Sequence, residues 1–407
     1  MMLFVTMAWR NLWRNSHRTL ITTASIFFAV ILVLFIRSMQ LGTYEHMITN
    51  TVRISTGFIQ VQGEEFWETR SLENSMQYRQ EMVEEVMALE DVTHVVPRIE
   101  SFALASSGDQ TRASVVTGID PEAENRMNNL EEQLIEGTYL SGGSSERVLI
   151  ASGLAEYLNV SPEDTVILLG QGYYGMSAAG AFLVEGIVDL PLPDLNQSML
   201  YMSLEDAQWF YSMPQRITSL AVMIDRPDRL WSVRDQIWGI YGNDIDVLTW
   251  REMLPELVQI IELDDAQGLI MLGILYLVIA FGVFGTVMMM MAERRREFAI
   301  MVAIGLKNRA LSLILLIETV VIGLLGTLSG IVVSVPILLY MRANPIVLTG
   351  DTAQAMRQFG FDPLIPFLVS PSIFINQGIV VMVISLVACL YPVLSVRKLN
   401  ISDQLHG

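Results

Sequence analysis

The stretch "MAERRREFAIMVAIGLKN", residues 291–308, sets three consecutive arginines between two glutamates and then turns apolar again. On either side lies a run apolar and long enough to be a membrane helix, 267–292 before it and 310–341 after it. About 20 residues at roughly 1.5 Å each suffice for a span. Two further runs meet that requirement, 19–41 and 376–396. The first contains "LITTASIFFAVILVLFI" (20–36), longer than a usual signal-peptide core, and no small-x-small cleavage site follows it; it reads as a retained helix. The charged stretch is then a short turn between the second and third of four spans.

Composition agrees with a chain that partly faces lipid. Of 407 residues 52% are hydrophobic, and the mean hydropathy is +0.44, above the level of soluble domains. A single cysteine, Cys389, excludes an internal disulfide and any cysteine-based metal site, and its apolar surroundings make it a packing residue. The net charge of −18 argues against nucleic acid as a partner. That charge is unevenly distributed. Residues 41–266 carry 37 acids against 12 arginines and no lysine, a net of −25, while the remainder carries 6 acids and 13 bases, a net of +7.

The basic residues cluster at helix ends. Arg10, Arg14 and Arg18 precede the first span, Arg294, Arg295, Arg296, Lys307 and Arg309 lie in the short loop, and Arg397 and Lys398 follow the fourth span. Lysine and arginine beside a span mark the cytoplasmic side. Both termini and the 293–309 loop are therefore expected in the cytoplasm, with the acidic domain (42–266) and the 342–375 loop outside.

The acidic domain reads as α+β. "GFIQVQ" (57–62) alternates like a strand, and "DTVILLG", "FLVEGIVDL" and "SLAVMID" supply others. "SMQYRQEMVEEVMALEDV" (75–92) has helical spacing with Met82, Val86 and Leu89 on one face; a helix is expected around 153–158 and another in "RPDRLWSVRDQIWGIYG". The fold class is thus an α-helical membrane protein of four transmembrane helices with a large extracytoplasmic α+β domain between helices one and two. Its roughly 226 residues suffice for one large core or two lobes.

No constellation points to catalysis. There is no P-loop, no G-x-S-x-G and no H-E-x-x-H, and the four histidines, His17, His46, His94 and His406, are too scattered to ligate one metal. Gly170, Gly172 and Gly175 in "GQGYYGMSAAG" lack the lysine of a phosphate loop and read as a flexible turn. The acidic pairs at 64–65, 84–85, 131–132 and 264–265 lack the calcium-loop pattern and read as a solvated face. No catalytic, cofactor-binding or metal residue is assigned.

What remains is the charged turn. Glu293 and Glu297 dilute the orienting charge, and their spacing puts both on one helix face. Ile300, Ala303 and Ile304 form an apolar stripe, and Gly305 is placed to end the helix. A short amphipathic helix at the membrane surface suits docking into a groove of a partner protein. In the third span, Glu318 is a charged group within the apolar run and hence a functional candidate, or a carboxylate hydrogen-bonded within the dimer or reaching the membrane interface. Gly326 and Gly330 are spaced for close helix approach, in a dimer seam or within one chain.

Taken together, these segments resemble the MacB/FtsX/LolC superfamily of ABC transporter permeases. The coupling pattern E-R-x-x-E-x-x-x-x-x-A-x-G is met by Glu293, Arg294, Glu297, Ala303 and Gly305, although Ala299 stands where many relatives have glycine. "AWRNLWRNSHRTLIT" (8–22) resembles the family's amphipathic leading helix, assigned here to 1–18, and "SVRKLNISDQL" its cytoplasmic tail, 397–407. "TGFIQVQ", "RVLIASGLAEYLNVSPEDTVIL" and "LTWREMLPEL" resemble the external domain of the lipoprotein-releasing, LolC/LolE-like branch. The resemblance implies a non-catalytic permease of the bacterial inner membrane that dimerises with a second copy or paralogue. It also implies cytoplasmic ABC ATPase subunits, which hold ATP and Mg, at the coupling helix, and mechanical work outside the membrane. The substrate expected from this branch is a lipoprotein handed to a periplasmic carrier. An FtsX-like transmitter controlling a cell-wall hydrolase and a MacB-like efflux permease with a periplasmic adaptor are the alternatives.

The topology is open to a direct test. In a Cys389→Ser background, a cysteine at Ser145 should react with an impermeant maleimide applied from outside, and one at Asn308 should not. Equal labelling of both would refute the orientation.

Overall fold

The computed structural model describes residues 2–14, 16–242, 245–358 and 362–397. The tail motif at 398–407 lies outside them. Two compact units emerge, one from the chain up to His46, Ile260–Val347 and the chain from Leu364 onward, the other from Met47–Gln259 and Leu348–Pro363.

The first unit holds a leading helix (Met2–Arg14), four long helices (Ser16–Ile54, Pro255–Glu293, Asn308–Ala343, Pro371–Arg397) and a corner helix (Arg295–Ala303) between the second and third. All four long helices are apolar enough to cross a membrane. They extend beyond the spans expected from hydropathy: the first and second continue through polar sequence with no proline or other breaker to stop them. Their pattern is inside-out relative to a water-soluble protein. Phe28, Ile270, Phe281, Val332 and Val387 are exposed, whereas the third helix buries Ser312, Thr319, Gly323, Gly326, Thr327, Gly330 and Ser334 along one face. In lipid, apolar surface gains nothing from being hidden, so small residues that let backbones approach become the seam.

The third helix is the central one. Of its most apolar stretch 56% is buried, against 22–28% for the other three. A Cβ on Gly326 would stand 2.7 Å from Ile26 Cβ, and one on Gly330 would stand 2.9 Å from Val30 Cβ. Both glycines therefore pack the third helix on the first within one chain. The dimer seam expected at Gly326 and Gly330 is occupied from inside, because the matching bulky residues are four apart on the first helix. Gly42 has a comparable role: its Cβ would meet the Pro366 carbonyl and Leu368 amide at 2.7 Å, where Ser38 Oγ donates to the Leu368 carbonyl. Cys389 is buried and donates to Thr319 Oγ1, as a packing residue should. Asp264 and Asp265 are engaged rather than freely solvated: Tyr44 donates to Asp264 and Arg37 pairs with Asp265 at 2.5 Å.

The second unit is built on ten strands: β1 (Ile59–Gly63), β2 (Val92–Ser107), β3 (Gln110–Ile119), β4 (Leu134–Gly137), β5 (Arg147–Ala151), β6 (Thr165–Gln171), β7 (Ser177–Val188), β8 (Met199–Ser203), β9 (Ser219–Ile224) and β10 (Ile245–Thr249). Strands β10-β1-β9-β2 pair antiparallel in that order, with helices Gln80–Met87 and Leu230–Tyr241 in the connections. This is a split β-α-β-β-α-β lobe. Inserted between its second and third strands is a ring, β2-β3-β8-β5-β7-β6, closed by β6 pairing back onto β2. Closure removes the open edges that exposed strands would present. Alternation puts Ala105, Val116, Leu168, Phe182 and Leu200 inside the ring, all fully buried.

The α+β expectation and its strand assignments agree with this lobe and ring, with three adjustments. The helix expected over 75–92 is confined to Gln80–Met87, because Met76–Gln77 pairs as a strand and β2 begins at Val92. "GQGYYGMSAAG" is an ordered hairpin joining β6 to β7; the Gly172 amide donates to Met176, and a Cβ on Gly172 would strike the Tyr211 carbonyl at 2.7 Å. Ser145 is half-buried with its amide on Asp206, so exposed Gly142 serves the labelling test better.

Replacing Gly326 by valine should cost about 1–3 kcal/mol through overpacking, read as a lower melting temperature in detergent. Gly273→Ala, where the added Cβ meets nothing within 4 Å, should leave melting unchanged. Equal effects would contradict the seam.

Candidate functional site

The second long helix stops at Glu293, and Arg294, with φ −93° and ψ 9°, turns the chain into the corner helix. The corner helix ends as its sequence suggests. Gly305 takes φ +105°, its amide donates to Val302 and the Leu306 amide donates to Met301. That pair of bonds is the Schellman motif, which a left-handed glycine permits. Lys307 returns to extended geometry and the third helix starts at Asn308.

Arg294 is the hub of the corner. Its side chain is only 4% exposed, and Nη1 donates to both oxygens of Glu318 at 3.0 Å. Glu318, 1% exposed, lies ten residues into the third helix, about 15 Å along it. The same guanidinium donates through Nε to Glu297 Oε2 at 3.2 Å and lies over the Phe298 ring at 5.2 Å. On its other side Glu297 accepts from Arg14 Nη2 of the leading helix at 2.6 and 2.5 Å. A chain of alternating charges, Arg14–Glu297–Arg294–Glu318, thus ties together the leading helix, the corner and the third helix.

Burial pushes the Glu297 carboxyl up, but hydrogen bonds and charge from Arg294 and Arg14 outweigh it and hold the group below the ordinary glutamate range. The links are therefore at full strength above the unfolded-state value and weaken as pH falls through the lower folded one. Glu297 remains nearly half exposed, so solvent screens the contribution.

The corner helix has two faces. Phe298 is buried and Met301 and Val302 half-buried, while Ile300, Ala303 and Ile304 point outward, Ile304 at 82% exposure. The sequence-derived stripe is thus the presented face. Glu293 and Gly305 are exposed at either end of the corner. The structure brings Arg294, Glu297 and Glu318 together and leaves Gly326 and Gly330 further along the third helix. The side chains of Arg295, Arg296 and Ala299 lie outside the described atoms. Sequence reading took Arg14 as an orienting charge, and Arg294 as an orienting charge and a position of the coupling pattern, but paired neither with a carboxylate. The available signal was Glu318 itself, since a carboxylate buried in an apolar run requires a cation within reach.

These features define a unit of four long apolar helices with an ordered basic corner, and comparison with known proteins shows what it resembles. The family described as "FtsX-like permease C-terminal" matches residues 269–401, the segment that holds the corner and Glu318. LolC of Xylella fastidiosa, a lipoprotein-releasing system transmembrane protein, is 24% identical over 247 residues, covering 59% of each chain. LolE of Haemophilus influenzae is 22% identical over 247 residues with the same coverage. The chain thus spans 59% of the length of these curated relatives. The periplasmic region of MacB from Actinobacillus actinomycetemcomitans aligns with 52% of this chain and 96% of its own, at 16% identity and a TM-score of 0.36. Residues 269–401 are thus similar to the FtsX-like permease family, and the chain shares low sequence similarity with LolC and LolE.

Breaking the buried pair from one side should be costly. Arg294→Met leaves Glu318 uncompensated and should lose about 3–5 kcal/mol, whereas Arg294→Met with Glu318→Leu should recover most of it. Melting of the four proteins of this cycle in detergent measures the coupling; additive losses would show the pair to be incidental.

Proposed function

We propose that this chain is the membrane subunit of an ABC transporter that docks a separate ATPase through its corner helix. ATP hydrolysis in that partner, with its Mg, drives work outside the membrane. The observation that carries the reading is the outward face of Ile300, Ala303 and Ile304 on a helix braced by Arg14, Glu297, Arg294 and Glu318. Exposed apolar side chains on a short, rigidly held helix suit insertion into a partner's groove. Bracing matters because force enters through that helix: a contact free to rotate would dissipate it.

In this reading Glu297 positions the corner instead of meeting the ATPase as its main contact, since its oxygens already accept from Arg14 and Arg294. The chain works in the bacterial inner membrane with its basic corner in the cytoplasm, paired with a second permease copy or paralogue. Its cargo is a lipoprotein released toward a periplasmic carrier, a reading supported by the LolC and LolE relatives at 22–24% identity. Mass spectrometry of proteins copurifying with the detergent-solubilised chain tests the cargo; a cell-wall hydrolase or an efflux adaptor in its place would reassign it.

Two substitutions separate docking from positioning. Ile304→Glu should reduce recovery of the ATPase at least tenfold while leaving melting of the permease unchanged. Glu297→Lys adds a third cation beside Arg14 and Arg294 and should lower both ATPase recovery and melting. If Ile304→Glu recovers the ATPase like the parent, the corner face is not the docking surface.

A further inference from the structure

The second unit contains a cavity of about 170 Å³ on the outer side of the strand ring, beside β2, β3 and β8. That volume is well below the 300–1,000 Å³ typical of drug-sized ligands, so it holds a small molecule or a short row of waters. One wall is apolar, built by Phe102, Val115, Met199 and Leu254. Strand register explains the wall: Phe102 pairs with Val115, and Val115 pairs with Met199, which puts all three on one face.

The other wall is polar and its charges are already matched. Arg98 donates to both oxygens of Glu124 at 2.6 and 2.9 Å and to the Ser55 carbonyl. Arg70 pairs with Glu100 at 3.4 Å and stacks over the Trp67 ring at 3.6 Å. Glu100 also accepts from Gln60. Two cations face two carboxylates, so no surplus charge remains to hold an ion. One polar group on this wall is left over. Tyr201 lines the cavity, is 1% exposed, and its hydroxyl has no hydrogen-bond partner within the protein. A buried hydroxyl without a partner is costly, and a native fold that keeps one beside a cavity usually satisfies it there.

We infer that this cavity binds a small, uncharged molecule with an apolar body and one carbonyl-type acceptor, received by the Tyr201 hydroxyl. The apolar body lies against Val115 and Met199, and the acceptor faces Tyr201 and the unused N–H groups of half-exposed Arg70. A neutral amide meets both demands, whereas a carboxylate would confront Glu100 with no spare cation. This inference is independent of the proposed transport function.

The test uses the full chain in lipid nanodiscs and ligand-observed saturation-transfer NMR, with benzamide and hexanamide as probes and benzoate as the charged control. Signal from Met199→Trp protein, whose indole fills the cavity, is subtracted to remove binding to lipid; Met199→Phe serves if the tryptophan variant does not fold. Both amides should bind the parent, benzoate at least tenfold more weakly. Tyr201→Phe should weaken the amides about tenfold, the effect of one lost hydrogen bond to a buried donor. Amide signal identical in the parent and the filled variant would overturn the site. Benzoate binding as tightly as benzamide would overturn the neutral class. Tyr201→Phe protein that melts higher and binds benzamide undiminished would show the hydroxyl to be merely unsatisfied.

Discussion

The pairing of Arg294 with Glu318 is the interaction on which the membrane unit depends. A carboxylate ten residues inside an apolar helix carries a desolvation cost that only a close cation offsets. Arg294 meets that demand from the break between two helices, so the pair fixes where the chain turns as well as neutralising a charge. Because the same guanidinium reaches Glu297, and Glu297 reaches Arg14, the corner helix is held against both the third long helix and the leading helix. A displacement of the corner must carry those helices along or break a buried ion pair. For a helix offered as the point where force enters, that is the useful mechanical property.

Around this charged seat the packing follows the rules of a lipid solvent. The third helix hides glycine, serine and threonine among Leu311, Ile314, Leu315, Ile322 and Leu338, and exposes Leu324, Leu328, Val332 and Ile337. Gly326 and Gly330 receive Ile26 and Val30 so closely that no side chain fits between. The interior is therefore specified by shape and by a few strong polar contacts, since burying apolar area from lipid supplies little drive.

The second unit solves the opposite problem. It is water-facing and strongly acidic, and it buries its apolar residues inside a closed ring of strands beside an open split lobe. Polar groups are drawn inward only with partners, as Arg98 is by Glu124. The Tyr201 hydroxyl departs from that rule, and it does so at a cavity with an apolar wall.

The sequence by itself determined the number of long apolar helices, the acidic α+β segment between the first two, the charged corner and its glycine stop. Each depends on local chemistry: run length, periodicity, or the left-handed backbone that Gly305 allows. The outward stripe of Ile300, Ala303 and Ile304 was legible for the same reason, since helical spacing alone assigns residues to a face. Tertiary structure decided the partners. That Arg14 reaches Glu297, that Glu318 is satisfied by Arg294, and that Gly326 and Gly330 receive the first helix all involve residues 24 to 300 positions apart. The ring closure of β6 onto β2 is likewise a long-range pairing that alternation cannot reveal. Periodicity tells a residue which way to face; only the packed chain supplies what it faces.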